Sequence, residues 1–354
     1  MALEPSHNPA TTMSATILLL ALTFERLRGD PATAYHPVAW FGRYAGLIEQ
    51  ALHSDHRAAG AMAWLAAVIP PLLGIAWLHV ALWDLRPWSG LLFDAALLWT
   101  TLGWRSLLGH VRSVAEATGL TSARMAAARI VGRDPEALDE AGIHRAALES
   151  LAENSSDAVV APLFWFVVAG PLGAAAYRMV NTLDAMWGHR SPRYLHFGTA
   201  AARIDDVANW IPARLTAGLI VLAARRHDRA PVGGHPVAEQ RRPIAPRTWA
   251  VRGRGPLLPQ LLQTWRSLAP QATQHPSPNG GWPEAALAWG LGVRLGGAVL
   301  RAGHLEARPW LGPDGGREPT PRDTLAGLVL IHRALLLAAV AMLIVLGLEA
   351  VVSG

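Results

Sequence analysis

Three stretches of this chain, Ala61 to Trp83, Ala158 to Val180 and Leu325 to Val351, reach or approach the roughly 20 apolar residues that cross a bilayer. Ala61 to Trp83 reads as a spanning helix, and a soluble fold with this many such runs would be unusual. Only 16% of the 354 residues are charged and 51% are apolar, against about 25% charged in an ordinary soluble domain. The expected fold is therefore all-α: a polytopic integral membrane protein with about four to five membrane helices, some broken or re-entrant, and cytoplasmic helical loops.

The second run is interrupted at Ala169-Gly-Pro-Leu-Gly173. Its first half, Ala158 to Val168, would be about 16 Å long as a helix, roughly half of a hydrocarbon core. A re-entrant hairpin thus competes with a straight span, and a hairpin would bring Glu149 to Asp157 and Asn181 to Asp206 to one face of the membrane. Elsewhere, Gly90 to Trp104 reads as a returning helix with Asp94 inside it. Glu284 to Leu300 reads as a Gly-rich helix whose Gly292 and Gly296 form a GxxxG packing pattern. Residues 1–12 read as a polar tail and 13–354 as a single membrane-embedded domain, with 225–283 an Arg/Pro-rich cytoplasmic loop.

Cysteine is absent, which excludes a disulfide framework, a thiolate nucleophile and sulfur-ligated zinc. Lysine is absent too, so all 31 basic side chains besides histidine are Arg. That excludes a Walker-type phosphate loop and Schiff-base chemistry; any phosphate must be held by guanidinium forks. The net charge of +5 is concentrated between Arg225 and Pro283. Arg clusters beside membrane segments mark the cytoplasmic side, although the rule weakens in long loops. Nucleic-acid binding is not indicated, because Pro and Gly interrupt the basic stretch and few aromatics interleave it.

Glu149, Glu153 and Asp157 follow one another at i, i+4 and i+8, one helical face. Like charges at that spacing repel by about 0.2–0.5 kcal/mol per pair. Either the face is solvated, with Asp157 as a cap, or a hard cation such as Mg²⁺ is held there together with substrate phosphates. Asn181 and Asp184 form a second polar pair, equally suited to helix capping. Arg190, Arg193, Arg203 and Arg214 accompany Asp205 and Asp206 in a third cluster, which fits phosphate and metal binding or an interfacial ion-pair network. In the fourth, His275-Pro-Ser-Pro-Asn-Gly-Gly281 is a rigid loop before Pro283-Glu284, the favoured order at a helix start. Such loops often present groups to a ligand.

In wording and order these motifs resemble the adenosylcobinamide-phosphate synthases, the CbiB/CobD family. The resemblance is carried by GDP and HPV within Gly29 to Val38, ESLAENSSDAVVAPLF (149–164), YRMVNTLDAMWG (177–188), RYLHFG, ARIDDVANWIPARLTA and HPSPNGGWPEAALAWGLGVRLGG. It implies an ATP-dependent ligase of the inner membrane, with its active site on the cytoplasmic side. Such enzymes join (R)-1-amino-2-propanol O-2-phosphate to a corrinoid, adenosylcobyric acid. On that footing Glu149, Glu153 and Asp157 would hold Mg²⁺ or orient ATP, with Asp184, Asp205 and Asp206 as further metal ligands. Arg190, Arg193, Arg203 and Arg214 would clamp phosphates. Asn154, Asn181, His275 and Asn279 would make polar contacts, and Glu284 would serve as a base. Partners implied are the corrinoid substrate, aminopropanol phosphate, ATP and membrane lipid, with other corrinoid-pathway enzymes or a homo-oligomer left open. The rival classes are a transporter or ion-pathway protein and a non-catalytic scaffold for corrinoid enzymes.

Overall fold

A computed structural model describes residues 9–130, 135–189, 191–227, 257–301 and 304–352. The helices are α1 Pro9–Arg28, α2 Pro37–Leu52, α3 Arg57–Leu85, α4 Pro87–Thr101, α5 Trp104–Ala115, α6 Leu120–Ala127, α7 Glu140–Ser155, α8 Ala161–Trp187, α9 Thr199–Ala208, α10 Trp210–His227, α11 Leu257–Ala272, α12 Gly281–Leu291 and α13 Pro321–Val352. The described strands are four, of two or three residues each: β1 Leu295–Gly296 pairs antiparallel with β4 Trp310–Leu311, and β2 Val299–Arg301 with β3 His304–Glu306. The fold is all-α and polytopic.

Among the described residues three helical runs are long and apolar enough to cross a membrane: Arg57–Leu85, Glu140–Trp187 and Pro321–Glu349. The pair Thr199–Ala208 and Trp210–Arg225, bent by 47°, makes a fourth if it counts as one span. In the most apolar stretch of α3 only 11% is buried, leaving Leu65, Leu73 and Trp77 more than half exposed. A water-facing surface of that kind would be an aggregation hazard; against lipid it is at home.

The chain divides into two compact units, one of residues 1–106, 157–212 and 339–354, the other of 107–156 and 213–338. In the first, α3 and α4 pair as a hairpin, with Gly90 set tightly against the Trp83 ring. Asp94 is only 1% exposed, yet it accepts from Trp83 Nε1 at 2.8 Å and lies 2.7 Å from His79 Nδ1. The charge that stood out in an apolar helix is thus matched by two partners on α3.

The α8 hairpin gives the first unit its form. At Ala169 (φ −139°, ψ 21°) and Gly170 (φ 66°, ψ −164°) the backbone leaves helical geometry, and Pro171 follows. Residues eight apart on a straight helix are separated by about 12 Å; here a Cβ on Gly173 would stand 2.5 Å from the carbonyl oxygen of Trp165. The chain therefore turns back on itself. The arm from Asp157 to Val168 is about 18 Å long, well short of a membrane core. The hairpin, and not a straight helix, is the geometry observed, produced by a residue at positive φ that glycine alone adopts without strain.

In the second unit α12 packs against α7 and α11. Here the Gly-rich stretch differs from expectation. The helix stops at Leu291 because Gly292 takes the left-handed conformation (φ 68°, ψ 31°) and caps it. Gly296 and Gly297, at φ 79° and 78°, lie beyond the helix, where a Cβ would strike the backbone of Pro309 and the ring of Trp310. Gly292 and Gly296 are therefore not a helix-packing pair.

Glu25 gives the first unit a pH dependence. It is 3% exposed, its Oε1 accepts the Arg105 N–H at 2.8 Å, and its Oε2 has no partner. Burial pushes its pKa up from 4.5 to about 7. A carboxyl that stays protonated in the fold but ionises in the unfolded chain contributes stability below about pH 4.5 that is lost as pH rises to about 7. Glu25→Gln keeps the acceptor and removes the ionisation. We expect it to raise the thermal midpoint in detergent at pH 8, by an amount worth about 1–3 kcal/mol, and to leave it unchanged at pH 4.5. An equal shift at both values would show that the gain is unrelated to ionisation.

Candidate functional site

The helix α7 starts at Asp139, whose carboxylate accepts the Gly142 N–H at 2.8 Å. It ends in a π turn over Ser156–Val160. The wider turn begins at Ser156 and carries Asp157 within it. Turns of this kind are frequent at functional sites.

In the first unit, Asp157 at the open end of the α8 hairpin faces Asn181 on the returning arm, with Asn181 Nδ2 3.4 Å from Asp157 Oδ2. The same amide nitrogen is 3.5 Å from Asp205 Oδ1 on α9. Asp205, itself 8% exposed, accepts from Asn209 Nδ2 at 3.1 Å, and Asn209 Oδ1 accepts from the Tyr177 hydroxyl at 2.9 Å. Arg178 NH1 donates to Asn181 Oδ1 at 3.3 Å. Asp184 and Asp206 are close enough to act electrostatically on Asp205. Two separate sequence segments thus bring acids to one amide that a third segment supplies. Sequence reasoning missed Tyr177, Arg178 and Asn209, although Asn209 follows Asp205 at i+4 and Arg178 precedes Asn181 at i−3.

In the second unit, Glu149 is 6% exposed and its Oε1 accepts the Gly296 N–H at 2.8 Å. That bond ties α7 to the glycine turn and gives Glu149 an anchoring role. Asn154 turns its amide back to Ser150 O at 2.9 Å. The loop before α12 wraps the Ser277 hydroxyl, which accepts from Asn279 N and Gly280 N at 3.3 and 3.1 Å. A Cβ on Gly280 would lie 3.4–3.6 Å from His275 Cε1, Glu153 Oε1 and Glu284 Oε1, so these side chains surround one backbone position. His275 Nε2 is 3.7 Å from Glu284 Oε1, with both side chains nearly fully buried. Arg214 lies 4.7 Å over Trp282, which stacks on Trp265, and its NH1 donates to Asn279 Oδ1 at 3.4 Å.

Two of the other arginines stand apart from these acids. Arg193 spends its fork on Glu49, with Nε at 3.1 Å and NH2 at 2.9 Å from Oε1. The phosphate clamp expected of it is replaced by a structural ion pair, because a buried carboxylate already waits at that spot. Arg203 is exposed on α9, about 200° around the helix from Asp205. Arg190 and the basic stretch 228–256 lie outside the described residues.

Among the described residues no three His, Asp or Glu side chains are grouped to hold a metal ion by themselves. Asp157 and Asp205 nevertheless fit Mg²⁺, which prefers oxygen donors and is commonly held by one or two carboxylates with substrate phosphates supplying the rest. Their shared contacts to Asn181, at 3.4 and 3.5 Å, are at the long limit for hydrogen bonds and so are readily exchanged.

The family model described as CobD/Cbib protein matches residues 18–331. The chain belongs to the CobD/CbiB family. It is 41% identical over 350 residues to the cobalamin biosynthesis protein CobD of Rhodobacter capsulatus, covering 95% of this chain and 98% of that protein. The CobD proteins of Stutzerimonas stutzeri and Geobacter metallireducens are 44% and 39% identical over 299 and 308 residues, 82% and 85% of this chain and 85% and 87% of theirs. No solved structure matches. Membership of the CobD/CbiB family gives the chain a role in cobalamin biosynthesis, and the motifs that carry the family resemblance supply both polar clusters.

Proposed function

We propose that this CobD/CbiB protein is an adenosylcobinamide-phosphate synthase, a ligase that condenses (R)-1-amino-2-propanol O-2-phosphate with the free propionate of adenosylcobyric acid. The observation that carries the reading is the meeting of Asp157, Asn181 and Asp205 at the open end of the α8 hairpin. A carboxylate is a poor acyl donor until its oxygen becomes a leaving group. Transfer of the γ-phosphoryl of ATP to it gives ADP and an acyl phosphate. Attack by the amine then forms the C–N bond and expels inorganic phosphate, with one amine proton passing to a base.

Asp157 and Asp205, with Asp184 behind them, would hold Mg²⁺, whose charge would offset that of the phosphates. Asn181 keeps the two carboxylates apart and oriented. In the second unit Arg214, which lies over the Trp282 ring, would offer its guanidinium to a phosphate. Glu284 of the same unit, buried beside His275, would serve as the base that takes the amine proton. The reading predicts that purified protein supplied with adenosylcobyric acid, aminopropanol phosphate, Mg²⁺ and ATP yields the amide, identified by mass, together with ADP. Binding of all reactants without product would favour the scaffold, and ATP-independent cation flux in vesicles the transporter.

We place the site at the cytoplasmic face of the inner membrane. Reporter tags inserted after Asp134 and within 228–256 are expected to lie on the same, cytoplasmic side. Tags reporting opposite sides would remove this topology.

A further inference from the structure

The first unit contains a cavity of about 280 Å³ between α2, α3, α4 and the returning arm of the α8 hairpin, with Pro37, Trp40, Ile75, Thr101, Arg178 and Thr182 in its wall. The wall is almost entirely apolar. Thr101 and Thr182 donate their hydroxyl protons to carbonyls of their own helices, at 2.7 Å each. Arg178 is the one charged residue in the lining. Its Nε is buried and has no hydrogen-bond partner, a rare condition for a guanidinium N–H, and one that a ligand acceptor would relieve.

We infer that this cavity seats the carboxylate-bearing arm of the acyl substrate, with Arg178 as the residue that binds its carboxylate. The inference rests on the ligase reading and deepens it. An aliphatic stem ending in one carboxylate matches apolar walls with a single cation. A phosphate ester would find one guanidinium where such groups ordinarily take several donors. The other end of Arg178 decides against a lipid headgroup: its NH1 donates to Asn181 Oδ1 at 3.3 Å. Asn181 is the residue that bridges Asp157 and Asp205. A carboxylate docked on Arg178 therefore lies beside the acids assigned to phosphoryl transfer, as a group about to be phosphorylated must, whereas a lipid gains nothing from that neighbour.

The test measures binding rather than turnover. Full-length protein in detergent is dialysed against adenosylcobyric acid, and against the analogue whose reacting carboxylate is a carboxamide, and bound corrinoid is read by its absorbance. Wild type should bind the acid at least tenfold more tightly than the amide. Arg178→Gln should bind both at the level of the amide, with ATP affinity within twofold of wild type. Ile75→Trp, which narrows the cavity away from the acids, should weaken acid binding at least tenfold and leave ATP binding unchanged. Acid and amide binding within twofold of each other on wild type would overturn the inference, as would a preference that survives Arg178→Gln. If Arg178→Gln does not fold, unchanged acid binding by folded Ile75→Trp overturns it alone. Copurified lipid retained by wild type and lost from Arg178→Gln, with corrinoid binding unaffected, would assign the cavity to lipid. Absence of the amide product with the acid preference intact would remove the ligase reading and leave the cavity assignment standing.

Discussion

Replacing Asp157 with Asn is expected to lower turnover at least a hundredfold, about 2.7 kcal/mol in the barrier, while the protein stays folded. The substitution preserves shape, and the new side-chain oxygen still accepts from Asn181 Nδ2, now 3.4 Å from the carboxylate. What disappears is the negative charge, which in the fold stands near Asp205 and its neighbours Asp184 and Asp206. Removing one of several like charges relieves repulsion, so thermal stability should hold or rise. The variant should also require more Mg²⁺ for the same ATP binding, because one of two carboxylate ligands has become a weaker amide. Asp205→Asn should behave alike, though Asn209 Nδ2 at 3.1 Å also depends on that carboxylate and some stability should be lost with it. Undiminished turnover of Asp157→Asn at unchanged Mg²⁺ demand would reduce the acidic cluster to helix capping.

The sequence made the α8 hairpin legible because two independent signals coincide there. The apolar run splits into pieces too short to span, and the split falls on Gly-Pro, a pair that kinks or breaks a helix. Once the hairpin is drawn, Asp157 and Asn181 must meet, since they lie nearly equidistant from Gly170. Asp205 joins them through the packing of α9 on α8, which motif order alone does not give. Other features were hidden for identifiable reasons. The ends of α12 depend on the positive φ of Gly292, Gly296 and Gly297, and the apolar residues around them suit a helix equally well. Glu149 looked like its neighbour Glu153, yet its partner is a backbone N–H 147 residues away. Arg193 looked like a phosphate ligand because its partner, Glu49, lies 144 residues upstream in a segment with no local sign of pairing.

That pairing makes Trp187→Ala the substitution with the largest expected loss of stability. Trp187 closes the YRMVNTLDAMWG motif and is wholly buried, packing edge-on to Phe197 at 5.2 Å within a core that includes Phe41, Ala63 and Leu183. Its Nε1 donates to Glu49 Oε2 at 3.0 Å, while the Tyr194 hydroxyl and the Arg193 fork share Oε1. Truncation leaves a cavity where the indole stood and takes one donor from a buried carboxylate. The cost should be about 3–5 kcal/mol, read as a fall of roughly 10 °C in the thermal midpoint. Glu49→Gln, which keeps an acceptor oxygen but loses the charge, should fall less. Neither residue bonds to Asp157, Asn181 or Asp205, so turnover per folded molecule should be nearly unchanged in both variants at low temperature. Turnover lost from a Trp187→Ala protein of native stability would move this cluster from the scaffold into the chemistry.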